Sequence, residues 1–223
     1  MTSVELERDV LASNDGRAAR LRSRFSRSGV EVVNVLSSPG SGKTALMTAV
    51  LAHLVDNGVR AAAIVGDCAT DNDARRLAES GAPVVQVVTD GNCHLEADMV
   101  AEHLQLLEAR EGVALEDLDV LVIENVGNLV CPAGFDLGES QRLVLLSVTE
   151  GEDKPRKYPA AFSSADIVVL TKLDLAGPCD FDEAAALASI ASVAGPVLVA
   201  RTSARTGLGV DDLAARMRPV PVG

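Results

Sequence analysis

Short apolar runs, dominated by valine and other aliphatic residues, recur along the chain at residues 30–36, 59–65, 84–88, 120–123, 144–149, 165–170 and 197–200. Their length and near-continuous apolar character predict strands buried on both faces. Segments with helical spacing separate them. Ala45, Leu46, Val50, Leu51 and Leu54 form one stripe, and Leu95, Met99, Val100, His103, Leu104 and Leu107 form another. Residues 72–80, 182–193 and 210–217 predict further helices, the last stopped by Pro219, with Asp71 placed to cap the first of them. Strand alternating with helix predicts an α/β chain, a mostly parallel central sheet flanked by helices on both faces.

Residues 1–28 predict a helical packing arm before a single domain at 29–223. Asn14 or Ser13 is placed to cap a segment that carries Ala18, Leu21 and Phe25 on one face, and Gly29 ends it. His53 and His103 fall on helix stripes and are expected to be half-buried. Residues 150–159 read as a charged, proline-containing loop.

Composition sharpens this picture. Only 2% of the 223 residues are aromatic and none is Trp, so the core must be built from Val, Leu, Ile and Ala. A formal charge of −12 argues against nucleic acid or an anionic membrane as partner. No apolar run approaches the ~20 residues that span a bilayer, and the N-terminal residues have no basic-then-apolar signal pattern, which predicts a cytoplasmic protein. Four cysteines in such a chain do not make a disulfide framework. Cys68 and Cys179 read as bland thiols, with Cys68, next to Asp67, the better candidate for a ligand. Arg outnumbers Lys sixteen to four, and two of those lysines, Lys43 and Lys172, fall in the nucleotide motifs that follow.

The first strand breaks into Ser37-Ser38-Pro39-Gly40-Ser41-Gly42-Lys43-Thr44, after which the first helical stripe begins. Glycines let successive backbone N–H groups curl around phosphate oxygens, and the helix start adds its unpaired amides and dipole. Lys43 is placed to reach the β- and γ-phosphates and the Thr44 hydroxyl to bind Mg²⁺. The phosphate-loop pattern begins with Gly where this chain has Ser37, a residue that fits if its φ is negative.

Other strand ends supply the remaining parts. Asp67 follows the second strand and reads as a carboxylate for Mg²⁺-bound water or a switch. Glu124 follows the fourth, where an acid holds Mg²⁺ through water, and the Gly127 N–H can approach a γ-phosphate. Lys43, Asp67, Glu124 and Gly127 are therefore the expected catalytic set. Thr171-Lys172-Leu173-Asp174 closes a later strand, with Lys172 lying along the base and Asp174 accepting the N1–H and N2–H₂ of guanine, a donor pair that adenine lacks. Ser203 and Ala204 begin a tight loop whose Ala204 N–H is placed for guanine O6. No residue stands out as an arginine finger or a water-orienting Gln, which predicts slow intrinsic hydrolysis.

Cys93-His94 sets a soft thiolate beside an imidazole just before a helix, a position that would lower the thiol pKa. Cys131 lies four residues beyond Gly127 and is tied by the chain to whatever the γ-phosphate does there.

Phosphate loop, strand-end Glu, T-K-L-D and S-A-R occur in G-domain order, so the chain resembles a P-loop NTPase G domain. Ser37 to Thr44, Cys93-His94-Leu95, Glu124-Asn-Val-Gly-Asn-Leu-Val-Cys131-Pro132 and the stretch from Glu150 to Pro159 together resemble the HypB family of hydrogenase nickel-incorporation GTPases. The resemblance covers residues 10–217. It implies a GTPase that forms a homodimer on binding GTP, holds Ni²⁺ or Zn²⁺ through Cys93, His94 and Cys131 at the two-fold interface, and helps load nickel into [NiFe]-hydrogenase. Its implied partners are a nickel metallochaperone and the hydrogenase large subunit. It also implies that Lys154 reaches the guanine of the neighbouring subunit. The N-terminal Cys motif or His-rich tract that many family members use for tight nickel binding is not in this sequence.

A GTPase maturing another metalloenzyme, of urease or cobalamin type, is the nearest alternative. A small-molecule P-loop kinase is the reading from another class; Asp174 predicts GTP over ATP and so discriminates against it. A passive metal buffer would bind metal with no regard to nucleotide.

Overall fold

The computed structural model describes residues 3–67, 72–89 and 91–219. Seven parallel strands, β1 (Glu31–Leu36), β2 (Ala61–Asp67), β3 (Val84–Val88), β4 (Val120–Glu124), β5 (Gln141–Ser147), β6 (Ile167–Thr171) and β7 (Leu198–Arg201), form one sheet in the order β3-β2-β4-β1-β5-β6-β7. The helices are α1 (Ser3–Ser28), α2 (Lys43–Asp56), α3 (Asn72–Ala78), α4 (Ala97–Glu111), α5 (Lys154–Lys157), α6 (Pro159–Ser163), α7 (Glu183–Ala194) and α8 (Val210–Arg216). None of the described helices is long and apolar enough to cross a membrane.

Alternation along β1 divides the core. Val33 and Val35 face one side, with Leu46, Met47, Val50 and Leu54 of α2 and Leu213 of α8. Val32 faces the other, against Leu21 and Phe25 of α1 and Val100, Leu104 and Leu107 of α4. Leu36, Val144, Leu146 and Leu170 complete that second side with Phe162 of α6 and Ile190 of α7. Both faces are covered, as the unbroken apolar strands require.

Register brings the chemistry to one edge. Val35 and Val65 both lie opposite Glu124, so the loops after β1, β2 and β4 emerge together. Ser147 pairs with Thr171 and Leu170 with Arg201, which sets the loops after β6 and β7 side by side further along. In open α/β sheets this carboxyl edge is where ligands bind.

Asn14 does not cap its own helix. α1 runs unbroken from Ser3 to Ser28, and Asn14 is buried within it. Its Oδ1 accepts from Ala97 N (2.9 Å), the first residue of α4, and its Nδ2 donates to Asp136 O (2.8 Å). The cap is supplied across the fold, to a helix whose own preceding residue, Glu96, gives none. Gly138 passes so close to α1 that a Cβ there would meet Ala18 O and Arg22 N at 2.8 Å. Residues 150–159 also depart from the expected loop: Pro155 and Pro159 each sit in the first turn of a short helix, where proline is tolerated. The expected cap at Asp71 lies outside the described residues.

Candidate functional site

The segment between β1 and α2 wraps a cavity of about 570 Å³ lined by residues 37–45, Gly66, Asp67, Asp73, Arg76, Val126, Gly127 and Lys172. Gly40 (φ 74°) and Gly42 (φ 91°) adopt left-handed backbone that a side chain would strain. Ser37 is not among the residues with positive φ, so the Ser in the leading position is tolerated. It is fully buried, and its backbone forms an isolated antiparallel bridge with Asn128. Gly127 crosses Pro39 so tightly that a Cβ would lie 3.2 Å from Pro39 Cα.

Lys43 Nζ and Thr44 Oγ1 each donate to Glu124 Oε1 at 2.7 Å. Glu124 is fully buried, and its Oε2, like Ser41 Oγ, has no hydrogen-bond partner. A buried carboxylate with one oxygen taken by the phosphate-loop lysine and hydroxyl and the other unsatisfied suits a hydrated cation, a fit with the donor chemistry Mg²⁺ requires. Asp73 and Arg76 were not singled out from sequence. They share a face of α3 at i, i+3 spacing just after the Asp67 loop, and that spacing was the available signal.

The T-K-L-D segment is laced onto the phosphate loop. Thr171 Oγ1 donates to Ser41 O (2.7 Å) and Lys172 Nζ to Gly40 O (2.6 Å). Lys172 is itself left-handed (φ 59°), a conformation a non-glycine residue holds only under local constraint. An adjoining cavity of about 200 Å³ is lined by Gly42, Lys172, Asp174, Ala204 and Arg205 among others. Ser203 Oγ donates to Asp174 Oδ1 (2.6 Å) and fixes that carboxylate against the pocket. Lys154 lines neither cavity. It pairs with Glu150 (3.2 Å) and lies 5.1 Å from the Tyr158 ring centroid.

Cys93, His94 and Cys131 converge, with one ligand atom from each lying within 4.8 Å of the others. Cys93 Sγ is 3.8 Å from His94 Nδ1. The His94 ring stacks on Phe135, centroids 3.8 Å apart, and its buried Nε2 makes no hydrogen bond, with Glu96 Oε1 3.7 Å away. The expected lowering of the Cys93 pKa does not occur. A hydrogen bond with Cys131, then burial and the charge of Cys131, push that thiol up, and α4 starts only at Ala97, too far on for its dipole to act. Burial pulls the His94 pKa down against the opposing pull of Glu96, leaving a neutral imidazole. Two close thiols beside a neutral imidazole form a soft ligand set that sheds protons on taking up metal. Cys179 is exposed, and Cys68 lies outside the described residues.

A family model described as the CobW/HypB/UreG nucleotide-binding domain matches residues 31–194. A hydrogenase maturation factor HypB from Azotobacter chroococcum mcd 1 is 47% identical over 209 residues, covering 94% of this chain and 66% of that protein. The hydrogenase/urease maturation factor HypB of Helicobacter pylori is 44% identical over 173 residues, covering 77% of this chain and 69% of that protein. The chain thus spans about two thirds of the length of these curated relatives. The crystal structure of HypB from Helicobacter pylori in complex with nickel is similar with a TM-score of 0.85 and 38% identity, covering 92% of this chain and 93% of that chain.

Proposed function

This chain belongs to the CobW/HypB/UreG family of nucleotide-binding domains, and from that premise we propose that it is a GTP-hydrolysing metallochaperone that assists nickel insertion into [NiFe]-hydrogenase. The observation that carries the reading is the position of Cys131. It shares with Gly127 the loop that leaves β4 beside the phosphate cavity, and it converges there with Cys93 and His94.

Ser38, Pro39, Gly40, Ser41, Gly42 and Lys43 cradle the phosphates, while Lys172, Asp174, Ser203 and Ala204 read the guanine. Thr44, Glu124 and Asp67 would hold Mg²⁺, which when bound supplies charge neutralisation at the phosphates. Lys43 exchanges its Glu124 partner for phosphate oxygens, and the Gly127 N–H follows the γ-phosphate. Cys131 is drawn along with it. Cys93, His94 and Cys131 then grip Ni²⁺ or Zn²⁺ more tightly with GTP than with GDP, and hydrolysis releases the loop and the metal. Without differential affinity between the two nucleotide states, GTP could not drive transfer.

Two copies pair on binding GTP and bring their metal residues together. Lys154 then leaves Glu150 to reach the partner copy's guanine. A nickel metallochaperone and the hydrogenase large subunit are the expected partners, in the cytoplasm. The decisive experiment titrates Ni²⁺ and Zn²⁺ into the protein loaded with GDP or with a non-hydrolysable GTP analogue. Tighter binding in the GTP-like state supports the reading; equal affinity refutes it in favour of a passive buffer. A urease target is the second reading, favoured by the Helicobacter pylori relative named for both enzymes. Hydrogenase and urease activities in a deletion strain separate the two.

A further inference from the structure

Two asparagines bracket Gly127, and their side chains hold opposite ends of the Cys93-His94 loop. Asn125 Oδ1 accepts from Leu95 N (3.2 Å), on the C-terminal side of His94. Asn128 Nδ2 donates to Cys93 O (3.3 Å), on the N-terminal side.

These tethers differ in what stands behind them. Asn125 is fully buried, its backbone N–H donates to Val35 O (3.1 Å), and its Nδ2 donates to Asn34 Oδ1 (3.3 Å) on β1. Asn34 in turn donates to Glu139 (3.0 Å), which is paired with Arg142 at the start of β5. That network is closed and roots Asn125 in the sheet. Asn128 is only half-buried and belongs to the loop. Its backbone bridges Ser37 at the head of the phosphate loop, and its Oδ1 accepts from Val130 N (2.9 Å), the residue before Cys131. One residue therefore touches the phosphate loop through its backbone, and the first cysteine and the approach to the second through its side-chain amide.

We propose that Asn128 is the positioning residue that couples nucleotide state to the metal site, transmitting displacement of Gly127 to Cys93 as well as to Cys131. Leu95 is held still by Asn125, so a pull on the Cys93 carbonyl pivots Cys93 about a fixed point next to His94. Both thiols then shift relative to the imidazole, a larger change of ligand geometry than movement of Cys131 alone would give. This rests on the metallochaperone reading above.

The test uses Asn128→Asp and Asn128→Ala in the full chain. Asp keeps an acceptor for Val130 N and loses the donor to Cys93 O; Ala loses both, and neither touches the backbone bridge to Ser37. Ni²⁺ and Zn²⁺ affinities are measured with GDP and with a non-hydrolysable GTP analogue, alongside nucleotide affinity. Wild-type protein is expected to show a ratio on the order of tenfold between the two states. Both variants are expected to cut the ratio by about threefold or more, leaving only what movement of Cys131 supplies, while nucleotide affinity stays within about threefold. Asn125→Ala, which cuts the fixed tether, lowers metal affinity in both states. A wild-type ratio above one that survives undiminished in both Asn128 variants overturns the coupling role. A wild-type ratio of one overturns the metallochaperone reading, and the coupling role with it, before any variant is compared. Equal weakening of metal binding in both states, with the ratio intact, shows a merely structural Asn128 and also overturns the proposal.

Discussion

Lys43 and Glu124 form an ion pair 2.7 Å long with the glutamate fully buried and the lysine nearly so. The phosphate-loop lysine is thus neutralised by the strand-end acid until another anion takes its place. Removing one member of a buried pair leaves the other charge uncompensated, at a cost of roughly 3–5 kcal/mol. Glu124→Ala is expected to lower the stability of nucleotide-free protein by about 3 kcal/mol. The deficit should shrink when saturating Mg²⁺-free GTP supplies phosphate charge to Lys43, because the variant has no carboxylate to displace from that lysine and so binds the phosphates more tightly. Urea unfolding with and without GTP reads both effects; a deficit unaltered by nucleotide would remove Lys43 from the phosphate site.

The proposed guanine selection is concentrated in one carboxylate, that of Asp174. Ser203 Oγ holds Asp174 Oδ1 at 2.6 Å, and Asp174 lines the smaller cavity. Asp174→Asn replaces an acceptor with a donor, so GTP affinity is expected to fall by about a hundredfold or more and xanthosine triphosphate to become the better ligand. Nucleotide titrations with the two triphosphates check this. Undiminished GTP affinity would place the base elsewhere.

At the metal site, Cys131→Ala is expected to abolish tight Ni²⁺ and Zn²⁺ binding while leaving GTP affinity within about threefold, since tetrahedral and square-planar sites alike depend on the thiolates. It should also relieve the upward push on the Cys93 thiol, whose leading cause is the hydrogen bond with Cys131. Absorption spectroscopy follows the thiolate-to-nickel band, and an undiminished band in the variant would exclude Cys131 as a ligand.

Much of this architecture is legible in the sequence because buried parallel strands announce themselves as apolar runs. Residues 84–88 coincide with β3. β5 begins three residues earlier than its apolar run, since Gln141 and Arg142 join the ladder with side chains turned to polar partners: Arg142 reaches Glu139, and Gln141 the end of α8. The phosphate loop and the T-K-L-D segment are motifs of local spacing, which sequence carries well. Asn14 shows the limit, because it caps a helix 83 residues away and a local capping rule cannot see that distance. Asn125 and Asn128 escaped notice for a similar reason. Their roles lie in hydrogen bonds to backbone of the Cys93 loop, some thirty residues upstream, and an isolated Asn has no spacing rule that reveals such bonds.

The arm-like α1 is fastened by Arg22, which donates to both oxygens of Asp136 at 2.7 and 2.9 Å. Burial pushes the Asp136 carboxyl up, but the hydrogen bonds from Arg22 and from Gly138 N, with the Arg22 charge, outweigh it and hold it below the usual carboxylate value. A carboxyl whose folded pKa is depressed stabilises the fold fully above its unfolded value of about 3.9, and loses that contribution as pH falls through the folded value. Both side chains are partly solvated, so the pair is worth about 1 kcal/mol or less. Asp136→Asn should therefore be less stable than wild type by roughly that amount at pH 7, with the gap closing as pH falls from about 4 through the depressed folded value, where wild-type Asp136 takes up its proton. The consequence reaches the metal site, because Asn14 on the same helix caps α4 directly after the Cys93-His94 loop. Urea midpoints at pH 7 and at a series of pH values falling from about 4 provide the measurement, and a gap that stays constant throughout would show that Asp136 acts through shape and not through charge.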